Sequence, residues 1–139
     1  MKTTLFNINT PIVFTATEKA KHVLSTFFLG YEELWKVDKS GVCSMQLWEV
    51  MKVFANNVTE DGSILFEQIE INMNQLIYVK LTERGEKVLK QKDFGLFTPN
   101  EEGYYVMEMW QIIRIFGNEM HMGVDILFEK NVIEIPVLS

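Results

Sequence analysis

Met45-Gln-Leu-Trp-Glu-Val-Met-Lys-Val-Phe54 lies on Met107-Glu-Met-Trp-Gln-Ile-Ile-Arg-Ile-Phe116 without a gap, and every position is identical or chemically similar. The same interval carries Ile64-Leu-Phe-Glu67 onto Ile126-Leu-Phe-Glu129. Upstream, after a change of interval by three residues, Asn7-Ile-Asn-Thr-Pro-Ile-Val-Phe-Thr-Ala-Thr-Glu-Lys-Ala-Lys-His-Val-Leu24 aligns with Asn72-Met-Asn-Gln-Leu-Ile-Tyr-Val-Lys-Leu-Thr-Glu-Arg-Gly-Glu-Lys-Val-Leu89. A constant spacing between matched blocks is the mark of an internal repeat. The chain therefore reads as two tandem units, 6–71 and 72–135, with Ile69-Glu-Ile71 and Ile133-Glu-Ile135 as matching ends. No Gly-, Ser- or Pro-rich linker separates them at Asn72, which favours two halves packed into one body.

Each unit opens with a short β-branched and aromatic run, residues 12–14 and 76–81, that reads as a strand. Thr17 and Thr82 then stand as N-caps, with Glu18 and Glu83 placed to meet the positive end of a helix. Ala20, Val23, Leu24, Phe27 and Phe28 recur at helical spacing, and Gly85, Val88 and Leu89 repeat the start of that stripe, in a helix that ends near Lys92. Connectors with Gly30, Ser40 and Gly41, and with Gly95, Pro99, Asn100 and Gly103, lead to the Met-x-x-Trp segment. There Gln46, Glu49 and Lys52, matched by Glu108, Gln111 and Arg114, leave a narrow polar stripe on an otherwise apolar cylinder. That helix is expected to be the most buried of each unit. Closing hairpins, turning near Asp61-Gly62 and near Gly123, complete the order strand, helix, helix, strand, strand. The expected fold class is α+β, with the two units about a pseudo-twofold axis and antiparallel sheet covered by four helices.

Composition bounds the function. The chain has 139 residues, 47% of them hydrophobic against 23% charged, and ten Phe with three Trp supply a core. A net charge of −6 repels a phosphate backbone and places nucleic-acid binding at a disadvantage. Lys80, Arg84, Lys87, Lys90 and Lys92 are diluted by Glu83, Glu86 and Asp93, as on a solvated helix face. With no long apolar run and a broken N-terminal one, neither membrane spanning nor secretion is expected, and the protein is read as cytoplasmic. The single Cys43 reads as a small buried hydrophobe.

The second unit, with Tyr78-Val-Lys-Leu-Thr-Glu-Arg-Gly85, Gly103-Tyr-Tyr-Val-Met-Glu-Met-Trp110, Phe116-Gly117, Met122-Gly123 and Phe128-Glu-Lys-Asn131, resembles small uncharacterised proteins of bacteriophages and Bacteroidetes-type genomes. Those proteins are usually single units, and the first half matches them loosely, since Pro11, Ala16 and Ala20 replace Leu76, Leu81 and Gly85. The resemblance implies a phage or mobile-element origin and no particular activity. Leu81-Thr-Glu-Arg-Gly-Glu-Lys-Val-Leu89 is also similar to the segment where winged-helix regulators pass from wing to final helix. The acidic charge and the lack of a basic recognition helix count against DNA binding.

No phosphate loop, nucleophile elbow, zinc-protease helix or Cys-x-x-Cys pair occurs, and no cofactor is implied. His22 reads as a surface residue. Met120-His121-Met122 offers soft ligands in principle, but an alternating strand accounts for the triplet equally well. Glu32-Glu33 and Glu101-Glu102 are adjacent pairs in connectors and read as solvated surface. Connector aromatics carry the leading expectation: Tyr31, Leu34 and Trp35 in one half and Phe94, Phe97, Tyr104 and Tyr105 in the other are a candidate interaction surface or, alternatively, plugs for the ends of the core. Trp48 and Trp110 are assigned to the core. The function read from the sequence is non-catalytic binding or inhibition of a protein partner, or self-association. The alternative is a small-ligand or nucleotide-sequestering protein with a cleft between the halves, where Lys80, Arg84 and Arg114 would contact an anion. A winged-helix-like regulator ranks third.

Overall fold

The structure is a computed structural model that describes residues 2–93, 97–120 and 126–137. The polypeptide begins with β1 (Thr3–Asn7) and β2 (Pro11–Ala16), followed by helix α1 (Glu18–Phe27) and the short α2 (Tyr31–Leu34). β3 (Val42–Gln46) runs straight into α3 (Leu47–Phe54), and β4 (Phe66–Ile69) ends the first half. The second half contains β5 (Leu76–Val79), α4 (Glu83–Asp93), β6 (Tyr105–Glu108), α5 (Met109–Phe116) and β7 (Val132–Pro136). The protein is thus α+β, with five helices and seven strands in two antiparallel sheets among the described residues. One sheet has the order β3-β2-β4 and the other β1-β7-β5-β6.

The element order corrects the expected one in each half: a strand precedes the Met-x-x-Trp helix instead of following it at a distance. Met45 and Met107 belong to β3 and β6, and the helices start two residues later, at Leu47 and Met109. Val42 to Gln46 alternates about buried Cys43 and Met45, a period of two that the neighbouring helical period had masked. The turn at Asp61-Gly62 is a 3-10 turn, Gly62–Ile64, in which the Asp61 carboxylate accepts from the Ser63 N–H, so Ile64 precedes the strand. In the second half the 3-10 turn Glu129–Asn131 delays the strand to Val132, with Lys130 and Asn131 at φ 59° and 57°. Gly95 and the turn at Gly123 lie outside the described residues.

Several local hydrogen bonds recur in the two halves. Thr17 Oγ1 accepts from the Ala20 N–H and donates to the Ile64 carbonyl, and Thr82 Oγ1 accepts from the Gly85 N–H and donates to the Ile126 carbonyl. Each threonine thus satisfies an orphan helix donor and ties the helix start to the closing segment. The Gln46 N–H donates to Glu49 and the Glu108 N–H to Gln111, a reciprocal N-terminal cap in both buried helices. The Asp38 and Asn100 side chains each accept two backbone N–H groups, one on either side of a left-handed glycine, Gly41 at φ 84° and Gly103 at φ 90°.

One buried cluster runs through both halves. Phe14, Phe54 and Phe66 meet edge to face with centroids 5.2–5.9 Å apart, and Phe116 and Phe128 do so at 5.1 Å. Such pairs contribute roughly 0.5–1.5 kcal/mol each beyond the area they bury. The halves meet where α3 packs on α5. Across this seam Lys52 Nζ donates to the Met120 carbonyl and Arg114 Nη1 donates to the Val58 carbonyl, while Asn118 donates to Asn56. In the sequence alignment Lys52 matches Arg114, Val58 matches Met120 and Asn56 matches Asn118, so the bonds that cross the seam exchange partners between aligned positions. β1 crosses as well, pairing over its whole length with β7.

Candidate functional site

The carboxyl end of α1 exposes apolar surface that the other described residues leave partly uncovered. Ala20, Val23 and Leu24 face the core, whereas Phe27 and Phe28, expected to continue that stripe, are 47% and 51% exposed. The helix stops at Phe27, Phe28 turns to an extended conformation, and Gly30 reverses the chain at φ 89° before α2. Leu29, between them, is 96% exposed, and Leu34 at the end of α2 is half exposed. A shallow groove of about 190 Å³ lies beside this corner, with Phe27, Phe28, Trp48 and Val53 as apolar walls and Glu49 and Lys52 at its polar side. Isolated exposed leucines are ordinary; a cluster of large apolar side chains around an apolar groove marks an interaction surface.

The aromatic residues singled out from the sequence take several positions. Trp35 is buried, its indole N–H donating to the Glu49 carboxylate at 3.1 Å, and it forms part of the groove floor. Tyr31 is half-buried, and burial first, then neighbouring Glu32, raises its phenol above the ordinary value. Tyr105 is buried in β6, and Phe97 packs, partly buried, against the core. Tyr104 lies on the sheet surface against Tyr78, with Lys80 Nζ 4.7 Å from its ring centroid. Its hydroxyl bonds the Glu134 carboxylate, which pushes the phenol upward. Trp48 and Trp110 are partly buried against the core; Trp48 Nε1 donates to Gln46, but the buried Nε1 of Trp110 has no hydrogen-bond partner among the described residues. Phe94 and His121 lie outside the described residues.

The three cations considered for anion binding are engaged separately. Arg114 holds the Val58 carbonyl at the seam, Arg84 is 3.6 Å from Glu119, which Lys92 also approaches, and Lys80 covers Tyr104. His22 is exposed on α1. Burial raises the Cys43 thiol to about 11, with Asp38 adding to the effect, so the thiolate is disfavoured at neutral pH. Among the described residues no group of three or more His, Cys, Asp or Glu side chains is placed to hold a metal ion, and no helix is long and apolar enough to cross a membrane.

Phe27, Phe28 and Leu29 were legible in principle. Three consecutive apolar residues span about 200° of a helix circumference and cannot all face one core. Comparison with protein-family models, curated proteins and solved structures found no match to this chain.

Proposed function

We propose that this protein is a non-catalytic binding or inhibitor protein of phage or mobile-element type, which acts by docking the corner formed by Phe27, Phe28, Leu29 and Leu34 onto a protein partner. The observation that carries this reading is the exposure of four large apolar side chains in one short segment beside an apolar groove. Burying such a patch in a partner releases water from apolar surface, the main driving force of association, and the aromatic rings supply the anchors that dominate interface energetics. The acidic charge of the chain favours a partner with a basic surface through its effect on the association rate.

The scaffold for this corner is, in the same proposal, a tandem duplication whose halves embrace as subunits of a twofold dimer do. The exchanged bonds Lys52 to Met120 and Arg114 to Val58, with Asn56 meeting Asn118, support it, because an isologous contact pairs residue i with j and j with i. A sequestering cleft between the halves has less support, since Lys80, Arg84 and Arg114 each meet different groups of the protein.

Co-purification from the native host, with wild type and Leu29→Asp compared, tests the reading. A stoichiometric partner retained by wild type and lost by the variant supports it. Concentration-dependent self-association abolished by Leu29→Asp would assign the corner to a second copy. Equal retention by both proteins would remove the corner from the interface.

A further inference from the structure

The two sheets differ at one edge. In the four-stranded sheet the closing strand β7 is flanked on both sides, by β5 and by β1. In the three-stranded sheet the closing strand β4 is bonded to β2 alone, and no described strand covers its other edge. Chain connectivity explains the difference. Carried upstream from Asn7 and Asn72, the alignment sets Thr3 to Phe6 against Gln68 to Ile71, which are β4 and its exit. The residues that would flank β4 are themselves β4, so no described strand takes the flanking place. An uncovered strand edge presents backbone N–H and C=O groups to any extended chain that reaches it.

An open groove of about 740 Å³ runs beside β4, with β2 and the turns at 61–63 and 72–74 as its other walls. Three carboxylates line it, Asp61, Glu67 and Glu70, and no Lys, Arg or His does among the described residues. Val13, Ile69 and Met73 supply apolar contacts. The Asp61 carboxylate is held ionised by the Ser63 hydroxyl and N–H, and one Glu70 oxygen accepts from the Val13 N–H at 2.6 Å. A second copy of the same strand would bring like charges together, which disfavours self-pairing. An incoming strand with cationic side chains meets the opposite condition.

We propose that β4 accepts an extended, basic segment of a partner protein as a fourth strand, with Lys or Arg side chains facing Asp61, Glu67 and Glu70 and apolar side chains entering beside Ile69 and Met73. Backbone pairing provides the affinity and the alternating side chains the selectivity, as in other strand-addition complexes. This groove shares no lining residue with the α1–α2 corner. The two surfaces therefore stand or fall separately.

The probe is an acetylated octapeptide alternating Lys and Val, titrated into isotope-labelled full-length protein and followed by amide NMR. Shifts are expected at Glu67 and Ile69, with hydrogen exchange at Ile69 slowed about tenfold or more on saturation, since a ladder bond protects an amide from opening. An alternating Glu-Val peptide and a backbone N-methylated Lys-Val peptide are both expected not to bind. Glu67 is exposed and has no side-chain hydrogen bond among the described residues, so Glu67→Lys tests charge without removing an internal contact. It is expected to weaken the peptide about tenfold, and Glu67→Gln less, whereas Leu29→Asp leaves binding unchanged. Equal binding of the N-methylated peptide, shifts that map away from β4, or no shift at millimolar peptide would each overturn the proposal.

Discussion

Gly117→Ala adds one methyl group where the end of α5 packs against Met51 and Ala55. A Cβ built on Gly117 would stand 2.5 Å from the Ala55 Cβ and 2.9 Å from the Met51 carbonyl carbon, and it would also meet the Met51 carbonyl oxygen. Carbon atoms in contact prefer about 3.5–4.0 Å, so α3 and the end of α5 must separate by about 1 Å. None of the opposing atoms can rotate away, because two are backbone and the third is an alanine methyl. Overpacking of this kind costs roughly 1–3 kcal/mol, and the rigid surroundings place this site near the top of that range. Separation also stretches the Lys52, Arg114 and Asn118 bonds across the seam. Against this, Gly117 has helical dihedrals, φ −57° and ψ −44°, so alanine regains up to about 1 kcal/mol of backbone entropy. The net expectation is a loss of about 2 kcal/mol, read as a fall in Tm of roughly 6–10 °C for a chain of this size. Urea denaturation of wild type and variant measures it directly, with the m-value showing whether the unfolding transition keeps its size. Combining Gly117→Ala with Ala55→Gly should restore only part of the loss, because the clash with Met51 remains. An unchanged or raised Tm would refute the reasoning, since it would mean the seam is slack enough for the helix preference of alanine to win.

Other outcomes follow from single contacts. Trp48→Phe, which removes the indole bond to Gln46, should lower stability more than Trp110→Phe, where the buried N–H has no partner; the difference is about 1 kcal/mol and is measured by paired denaturation curves. The Cys43 thiol, raised to about 11 from an ordinary value of 9.0, should resist alkylation at pH 8 until the protein is unfolded. The sign of its effect on stability is fixed by that direction: the folded state holds the proton longer, so the contribution is complete below pH 9 and falls as pH rises towards 11. Cys43→Ala should flatten that alkaline decline, and a decline of equal slope in both proteins would count against Cys43 as its source.

The parts of this protein that were readable in one dimension are those set by neighbours along the chain. Thr17 and Thr82 as helix caps depend on residues three positions away, and the end of α4 near Lys92 depends on a local apolar stripe. The correspondence of the Trp48 and Trp110 segments needed only a constant interval. Local rules also misled where two periods overlapped: Met45 and Met107 fit a helical spacing to their tryptophans, yet each lies in a strand, because a partner strand can satisfy backbone groups that the sequence alone offers to a helix.

What tertiary structure decided was coverage. Whether Phe27 and Phe28 are buried depends on what packs at the end of α1, and there both stay about half exposed. Whether Trp35 faces solvent or Glu49 depends on α3, fourteen positions away. β1 was not legible as the flank of β7, since its partner lies at the other end of the chain, and the pairing pays only after the two halves have closed. The edge of β4 that no described strand covers is likewise a matter of sheet order, β3-β2-β4, which only the folded chain sets. The sequence by itself determined the α+β class, the helix caps and the apolar stripes; only the closed structure determined the order of strands and which edges and apolar surfaces were left over, because exposure is a property of the whole packed body and not of any segment within it.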